Sequence, residues 1–447
     1  MSLRPWTAAA AVTLLGALLS DWLFTELFLA RDSVANIAGA LALNALLIGV
    51  VALAARFLLP PRAVVVVLRA WILLGFAALA YSILHAGGVA LPGWSRWIRL
   101  GLVAVAVLVA FALALRMGDD IGERLSRSAT LGSLAFVLAP FAWRAMAEVP
   151  TVWIAAPAAS SAAARHATVF LLLDEMGADA AHPMADMLRQ AGLNVSETRL
   201  DPAGENTQNA VPAMFSGLSF YRARPCGPTT VCSGTNFLDF SAVRVARPDV
   251  HVTGLLLPYC RMAGLASCFQ LPLPHEHGSA YRSLAAFYLR RIGVSLPPVP
   301  DPPGLNHRLL AMQVDFIEGS RFWTDGGVLY AHLPIPHPPG LDGTTTLDAD
   351  YAANLDAAQA LVRRTAERLR STFGPAFTLI VTSDHPLRAY WCTGGVYKAD
   401  GCAVRDSFRA GKVPFIVASP QAVRDPGIAS NRDVFKVLNR LAGSAAP

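Results

Sequence analysis

The sequence predicts an α/β fold with a mostly parallel central sheet, preceded by five apolar helices of membrane-spanning length. Three observations predict it. Long apolar stretches are concentrated before about residue 150, short continuous apolar runs alternate with helical patterns after residue 165, and acids and imidazoles fall at the ends of those runs. The composition agrees. Of 447 residues 54% are hydrophobic and 15% charged, and the mean hydropathy is +0.43, which is too apolar for a chain wholly in water. The net charge of +6 is carried mainly by scattered arginines. That pattern fits an anionic membrane surface, and no basic, aromatic-interleaved patch of the kind nucleic acid requires is present.

The first region, residues 1–150, reads as a transmembrane helical domain. Trp6 to Ala30, Asn36 to Leu59, Ala63 to His85, Trp97 to Met117 and Ala129 to Ala147 are each about long enough to cross a ~30 Å hydrocarbon layer. The fifth contains Pro140 and Arg144, so it reads either as a span or as an interfacial segment. The first lacks the pattern of a cleaved signal and reads as a retained anchor. Arg4, Arg56, Arg62, Arg116, Arg124 and Arg127 outnumber Arg31, Arg96 and Arg99 on the opposite side. The bias puts the N-terminus in the cytoplasm, and five crossings then export the C-terminal half. Asp21 and Glu26 lie within the first apolar stretch, where they either receive a cationic headgroup or are wetted at the outer interface.

Six cysteines, Cys226, Cys232, Cys260, Cys268, Cys392 and Cys402, fall after the apolar half as three close pairs. Three local disulfides, and hence an oxidising compartment, are the expectation. Residues 151–165, rich in Ala, Ser and Pro, read as a linker, and 166–447 as the exported domain. Ala167 to Leu173 is a continuous apolar run, as a strand buried on both faces should be. Similar runs recur at His251 to Leu257, Gly327 to His332, Phe377 to Thr382 and Val413 to Ser419, with a clear helical pattern from Tyr351 to Ser371.

Chemistry gathers at the run ends: Asp174 and Glu175 after one, His332 and then His337 after another, Ser383, Asp384 and His385 after a third. Thr207 stands before an apolar run bearing Pro212, so it is expected at the start of a helix whose first turn holds the proline. A hydroxyl there faces unpaired N–H groups and the positive end of the macrodipole, which suits either a nucleophile or an ordinary N-cap. Acids, imidazoles and a hydroxyl form a mixed O/N set suited to Zn²⁺ or Mn²⁺. Singly, His332 reads equally as a core histidine and Asp174 as a helix cap. His275-Glu276-His277 has the look of a metal fragment, but it lies in a Pro-rich loop and reads as surface.

Taken in order, Asp174-Glu175, Asn206-Thr207 ahead of Val-Pro-Ala-Met-Phe-Ser-Gly, His332 and His337, and Thr382-Ser383-Asp384-His385 resemble the alkaline phosphatase superfamily. Within it the likeness is to sulfatase-like membrane enzymes, which include phosphoethanolamine transferases and lipoteichoic acid synthases. The resemblance implies an alkaline-phosphatase/sulfatase-like α/β domain over roughly residues 166–443. It implies Thr207 as nucleophile and ligand, and Glu175, Asp384 and His385 as metal ligands, with Asp174 a possible further one. His332, His337 and Asn206 would bind substrate, His332 or His337 otherwise a second metal. The chain departs from the family's usual Ser-Asp-His-Gly-Glu by reading Ser383-Asp384-His385-Pro386-Leu387-Arg388, so Arg388 is expected on the anion. The formylglycine signature of arylsulfatases has no match near Thr207.

The expected function is a metal-dependent phosphotransferase or phosphodiesterase of the bacterial cytoplasmic membrane with a periplasmic catalytic domain. Its donor would be a membrane lipid and its acceptor an envelope glycan, another lipid or water. The alternatives are a sulfatase-like hydrolase of sulfate or phosphate esters and a non-catalytic envelope assembly protein.

Overall fold

The computed structural model describes residues 34–86, 96–128, 131, 152–154, 166–225, 229–243, 249–271, 280–291, 305–338, 346–389, 391, 397, 404–408, 411–423 and 427–443. The chain divides into two units, one of residues 1–148, 225–228 and 274–299, the other of 149–224, 229–273 and 300–447. The stretch with Asp21 and Glu26, nearly all of the fifth apolar segment, the His275-Glu276-His277 fragment, and Cys226, Cys392 and Cys402 lie outside the described residues.

In the first unit three helices, α1 (Val34–Leu58), α2 (Pro61–Ala86) and α3 (Arg96–Arg116), coincide with the second, third and fourth apolar segments. Among the described residues no helix is long and apolar enough to cross a membrane. Ala70, Ala110 and Ala114 form the small apolar contact between α2 and α3. The buried Arg69 of α2 donates to the Met117 carbonyl at 2.5 Å and to Asp119 at 2.6 Å, which supplies the partners a buried guanidinium needs.

The second unit is built on an eight-stranded sheet. Its strands are β1 (Val152–Ile154), β2 (Ala167–Asp174), β3 (Asn194–Leu200), β4 (Val250–Leu255), β5 (Leu265–Leu271), β6 (Gly327–Pro336), β7 (Phe377–Ser383) and β8 (Val413–Ser419), in the order β1-β5-β4-β6-β2-β7-β8-β3. The five central strands are parallel, and β1 and β8 run against their neighbours. The mostly parallel sheet expected from the sequence is therefore present, with three differences. Val413–Ser419, apolar like the central strands, is antiparallel to β7. Three residues of the expected linker form edge strand β1 on β5. The run Asn194–Leu200 alternates polar residues on an exposed edge, so it gave no apolar signal, and Leu265–Leu271 is interrupted by Ser267, Cys268 and Gln270.

Alternation along β2 builds a layer on each side of the sheet. Phe170 and Leu172 pack with Val211 and Met214 of helix α5 (Thr207–Ser216), with Tyr259 and with Tyr330. Val169, Leu171 and Leu173 pack under α4 (Ala178–Gln190), α7 (Leu305–Gly319) and α8 (Leu347–Phe373), the last two following helix α6 (Ala280–Arg291) in the chain. Helix α8 begins where the Thr346 hydroxyl accepts from the Ala349 N–H, and Asp348 and Asp350 sit in its first turn, favourably placed for the dipole. Helix α5 begins at Thr207 and ends at Gly217, whose φ of 73° makes a left-handed cap. Pro212 is consequently in the second turn of α5, not the first as the sequence suggested. A disulfide joins Cys260 to Cys268, Cys232 is also disulfide-bonded, and no described cysteine is free.

Candidate metal and phosphoryl site

Register assembles the site. Ser383 of β7 pairs with Leu173 of β2, which sets Asp384 beside Asp174 at the carboxyl end of the sheet. His332 of β6 pairs with Leu172 on the other flank of β2. Asp174 and His332 continue the face that carries Phe170, Leu172 and Tyr330, the side on which α5 packs. Ligands of open α/β sheets bind at this end.

Asn206 caps α5, its side chain accepting from the Asn209 N–H at 3.0 Å. Thr207 is therefore not the cap, and its hydroxyl is left for other partners. It donates to Asp384 Oδ2 at 2.7 Å and lies 3.4 Å from both Asp174 Oδ1 and His385 Nε2. His385 Nε2 is in turn 3.5 Å from Asp174 Oδ1 and 3.4 Å from Asp384 Oδ2. All these side chains are buried. Asn431, which the sequence reading did not single out, holds the arrangement together. Its amide donates to the carbonyls of Ser383 and Asp384 at 3.2 and 2.7 Å and accepts from the Ala203 N–H at 2.6 Å, tying the loop before α5 to the end of β7.

Glu175, read from sequence as a metal ligand, has a different environment. Its backbone is left-handed, with φ of 64°, a conformation that costs on the order of 1–3 kcal/mol in a non-glycine residue unless its surroundings hold it. They do: Tyr351 donates to its carbonyl at 2.6 Å, and its own N–H reaches Asp384 Oδ1 at 3.3 Å. Its carboxylate accepts from Arg388 Nε and from Trp391 Nε1, the latter at 2.7 Å. Arg388 also meets His337 Nε2 at 2.9 Å, and the His337 and Trp391 rings stand edge to face. The sequence-nominated residues thus form two neighbouring clusters, one around Thr207 and one around Arg388.

Electrostatics separates the two. Burial, then the charge of Asp384 and that of Glu175, pushes the Asp174 carboxyl well above its ordinary range. Burial works in the same direction on Asp384, but His385, His332 and the Thr207 hydroxyl hold it below the usual carboxylate value. His332, lowered to about 4 chiefly by burial, is neutral at pH 7. Among the described residues Asp174, His332 and Asp384 offer ligand atoms all within 4.8 Å of one another. His332 Nε2 is buried with no hydrogen-bond partner. Two carboxylates pressed together beside an orphaned imidazole nitrogen make an O/N donor set that a divalent cation of zinc or manganese type fits.

No protein-family model and no curated protein matches the chain. Several solved structures are similar to it. One is the integral membrane protein lipooligosaccharide phosphoethanolamine transferase A from Neisseria meningitidis, at 13% identity and a TM-score of 0.33, covering 97% of this chain and 91% of that one. Another is the phosphonate monoester hydrolase of Agrobacterium radiobacter, at 15% identity, TM-score 0.37, and 62% and 74% coverage. A third is the Streptococcus pyogenes phosphoglycerol transferase solved with sn-glycerol-1-phosphate, at 11% identity, TM-score 0.34, and 63% and 76% coverage. The functional reading that follows rests on the residues of this chain.

Proposed function

We propose that the chain is a membrane-anchored, metal-dependent phosphotransferase or phosphodiesterase in which Thr207 attacks a phosphodiester of the lipid-headgroup type. The observation that carries the proposal is the Thr207 hydroxyl, 2.7 Å from Asp384 Oδ2 at the N-terminus of a helix whose cap is supplied by another residue. A divalent cation held by Asp174, His332 and Asp384, with Thr207 and His385 in reach, would supply charge neutralisation for the phosphoryl oxygens and make the hydroxyl more acidic.

In the first half-reaction the Thr207 Oγ1–P bond forms, the bond from phosphorus to the leaving alkoxide breaks, and the Thr207 proton passes by way of the carboxylates of the cluster to that alkoxide. The Asn206-capped first turn of α5 directs its free N–H groups toward the incoming anion. Arg388, held by Glu175 and His337, adds a guanidinium for the phosphoryl oxygens. In the second half-reaction an acceptor hydroxyl forms the new O–P bond, the Thr207 Oγ1–P bond breaks, and the acceptor's proton passes by way of the same carboxylates to Thr207 Oγ1. Water as acceptor makes the same cycle a hydrolysis.

Anchoring is supported by the apolar composition of the sequence before about residue 150 and by the arginine bias. Export is supported by the Cys260–Cys268 disulfide, a bond of oxidising compartments. The test is intact-mass spectrometry of the full chain incubated with vesicles of phosphatidylethanolamine and phosphatidylglycerol. A headgroup-phosphate adduct on the wild type that is absent from Thr207→Ala is the expected result. An adduct seen only with soluble monoesters favours the ester hydrolase, and no adduct together with full function of Thr207→Ala in cells favours the assembly protein.

A further inference from the structure

The residue that orients His332 is Tyr259, which the sequence reading did not single out. Its hydroxyl lies 2.8 Å from His332 Nδ1, and the ring is fully buried, edge to face with the imidazole. The surroundings show that this placement is built. The Tyr259 ring covers Gly254 so closely that a Cβ there would fall 2.3 Å from Cδ2, so only glycine admits the ring. The chain reaches it through Leu256, whose φ of 71° is left-handed, and the next residue, Cys260, is bonded to Cys268 of β5. His332 is fixed from its backbone as well: Gln313 donates to its carbonyl at 2.8 Å and to Thr253 Oγ1 at 3.2 Å.

Two proton assignments are open to this pair. If Tyr259 donates to Nδ1, the imidazole proton sits on Nε2, leaving a buried N–H donor with no partner. If Nδ1–H donates to the Tyr259 oxygen, Nε2 is the His332 nitrogen left with a lone pair for the set that its ligand atom forms with Asp174 and Asp384. The Tyr259 O–H proton is then available to the neighbouring Tyr330 hydroxyl, which is buried and otherwise unpartnered. The second assignment removes the orphaned Nε2 donor and gives the Tyr330 oxygen a donor to accept from. We infer that Tyr259 is a positioning residue: it fixes His332 with its proton on Nδ1 and so presents Nε2 as a ligand nitrogen toward Asp174 and Asp384. This rests on the metal site proposed above, but the tautomer can be measured without the metal.

The experiment uses the full chain in detergent, labelled with ¹⁵N-histidine and stripped of metal, with the His332 signals assigned by their loss in His332→Gln. The expected spectrum has a protonated Nδ1 and a bare Nε2 for His332, and Tyr259→Phe shifts the proton toward Nε2. Chelator competition with Zn²⁺ and Mn²⁺ should show Tyr259→Phe weakening binding by about 10–100-fold, with no further loss when it is added to His332→Gln. A His332 that carries its proton on Nε2 in the wild type, or a tautomer and affinity unchanged in Tyr259→Phe, overturns the inference. Should neither ion bind while the tautomer responds as expected, the orienting role of Tyr259 stands and the metal-dependent function falls.

Discussion

Asp174 and Glu175 are adjacent in the chain and end in opposite electrostatic situations. The Asp174 cluster gathers two carboxylates, two imidazoles and a hydroxyl without a lysine or arginine among its direct partners in the described residues. The Glu175 cluster is closed by a guanidinium and an indole N–H. A buried carboxylate must be paired, neutralised or joined to a cation, and the second cluster meets that need from the protein while the first does not. The contrast supports the proposal that the first cluster receives an ion and that Arg388 beside it contacts the anion.

Removing the nucleophile tests the first cluster most severely. Thr207→Ala should lower transfer by about 10³-fold or more, with a stability cost limited to the about 1–3 kcal/mol of one buried hydrogen bond, measured by headgroup release and by differential scanning; comparable turnover in the variant would take Thr207 out of the chemistry. The second cluster is probed by Arg388→Ala, which strands Glu175 as a buried, unpaired charge. Its expected cost is about 3 kcal/mol, largely restored in the Arg388→Ala, Glu175→Gln double variant. A double variant no more stable than the single one would mean that Glu175 does not depend on Arg388.

Metal removal compares the clusters directly. With ion at 100 times its dissociation constant, chelation should withdraw about 2.7 kcal/mol of stability. Asp174→Asn should abolish that chelator-dependent shift and Glu175→Gln should retain it; the reverse pattern would restore Glu175 as ligand.

A buried histidine near the start of β4 gives the smallest effect and serves as a control. His251, hydrogen-bonded to Ser267 at 2.7 Å, is held at about 4 by burial. Its folded value lies below the unfolded one near 6.5. The unfolded chain therefore binds the extra proton between these values, and the stability due to His251 is complete above about pH 6.5 and lost on acidification toward pH 4. The loss should be on the order of 2 kcal/mol by pH 5, independent of added metal and reduced in His251→Gln. A metal-dependent loss in that window would assign it to the His332 cluster instead.

Much of the site was legible because its signals are local. Strand ends were marked by where apolar runs stop, and the helix start by Asn206-Thr207 before a run of helix formers, so Asp174, His332, Thr207, Asp384 and His385 could be nominated from sequence. Tyr259 and Asn431 could not. A tyrosine after a proline and an asparagine before a short helix carry no pattern, and their partners His332 and Asp384 lie 73 and 47 residues away. The polar edge strand Asn194–Leu200 was missed for a related reason, since nothing buries one of its faces strongly enough to leave an apolar alternation.

By itself the sequence determined the parallel core, through strands apolar on both faces, and the set of chemically able residues at their ends. It also determined, through cysteines eight residues apart, the closure of Cys260 onto Cys268. Only the tertiary structure decided which acid meets Thr207. Pleating sends alternate residues to opposite faces, so Asp174 follows Leu172 toward α5, while the left-handed turn at Glu175 hands its carboxylate to Arg388 and Trp391. That choice depends on the register between three strands distant in sequence, which composition and spacing along one strand do not contain.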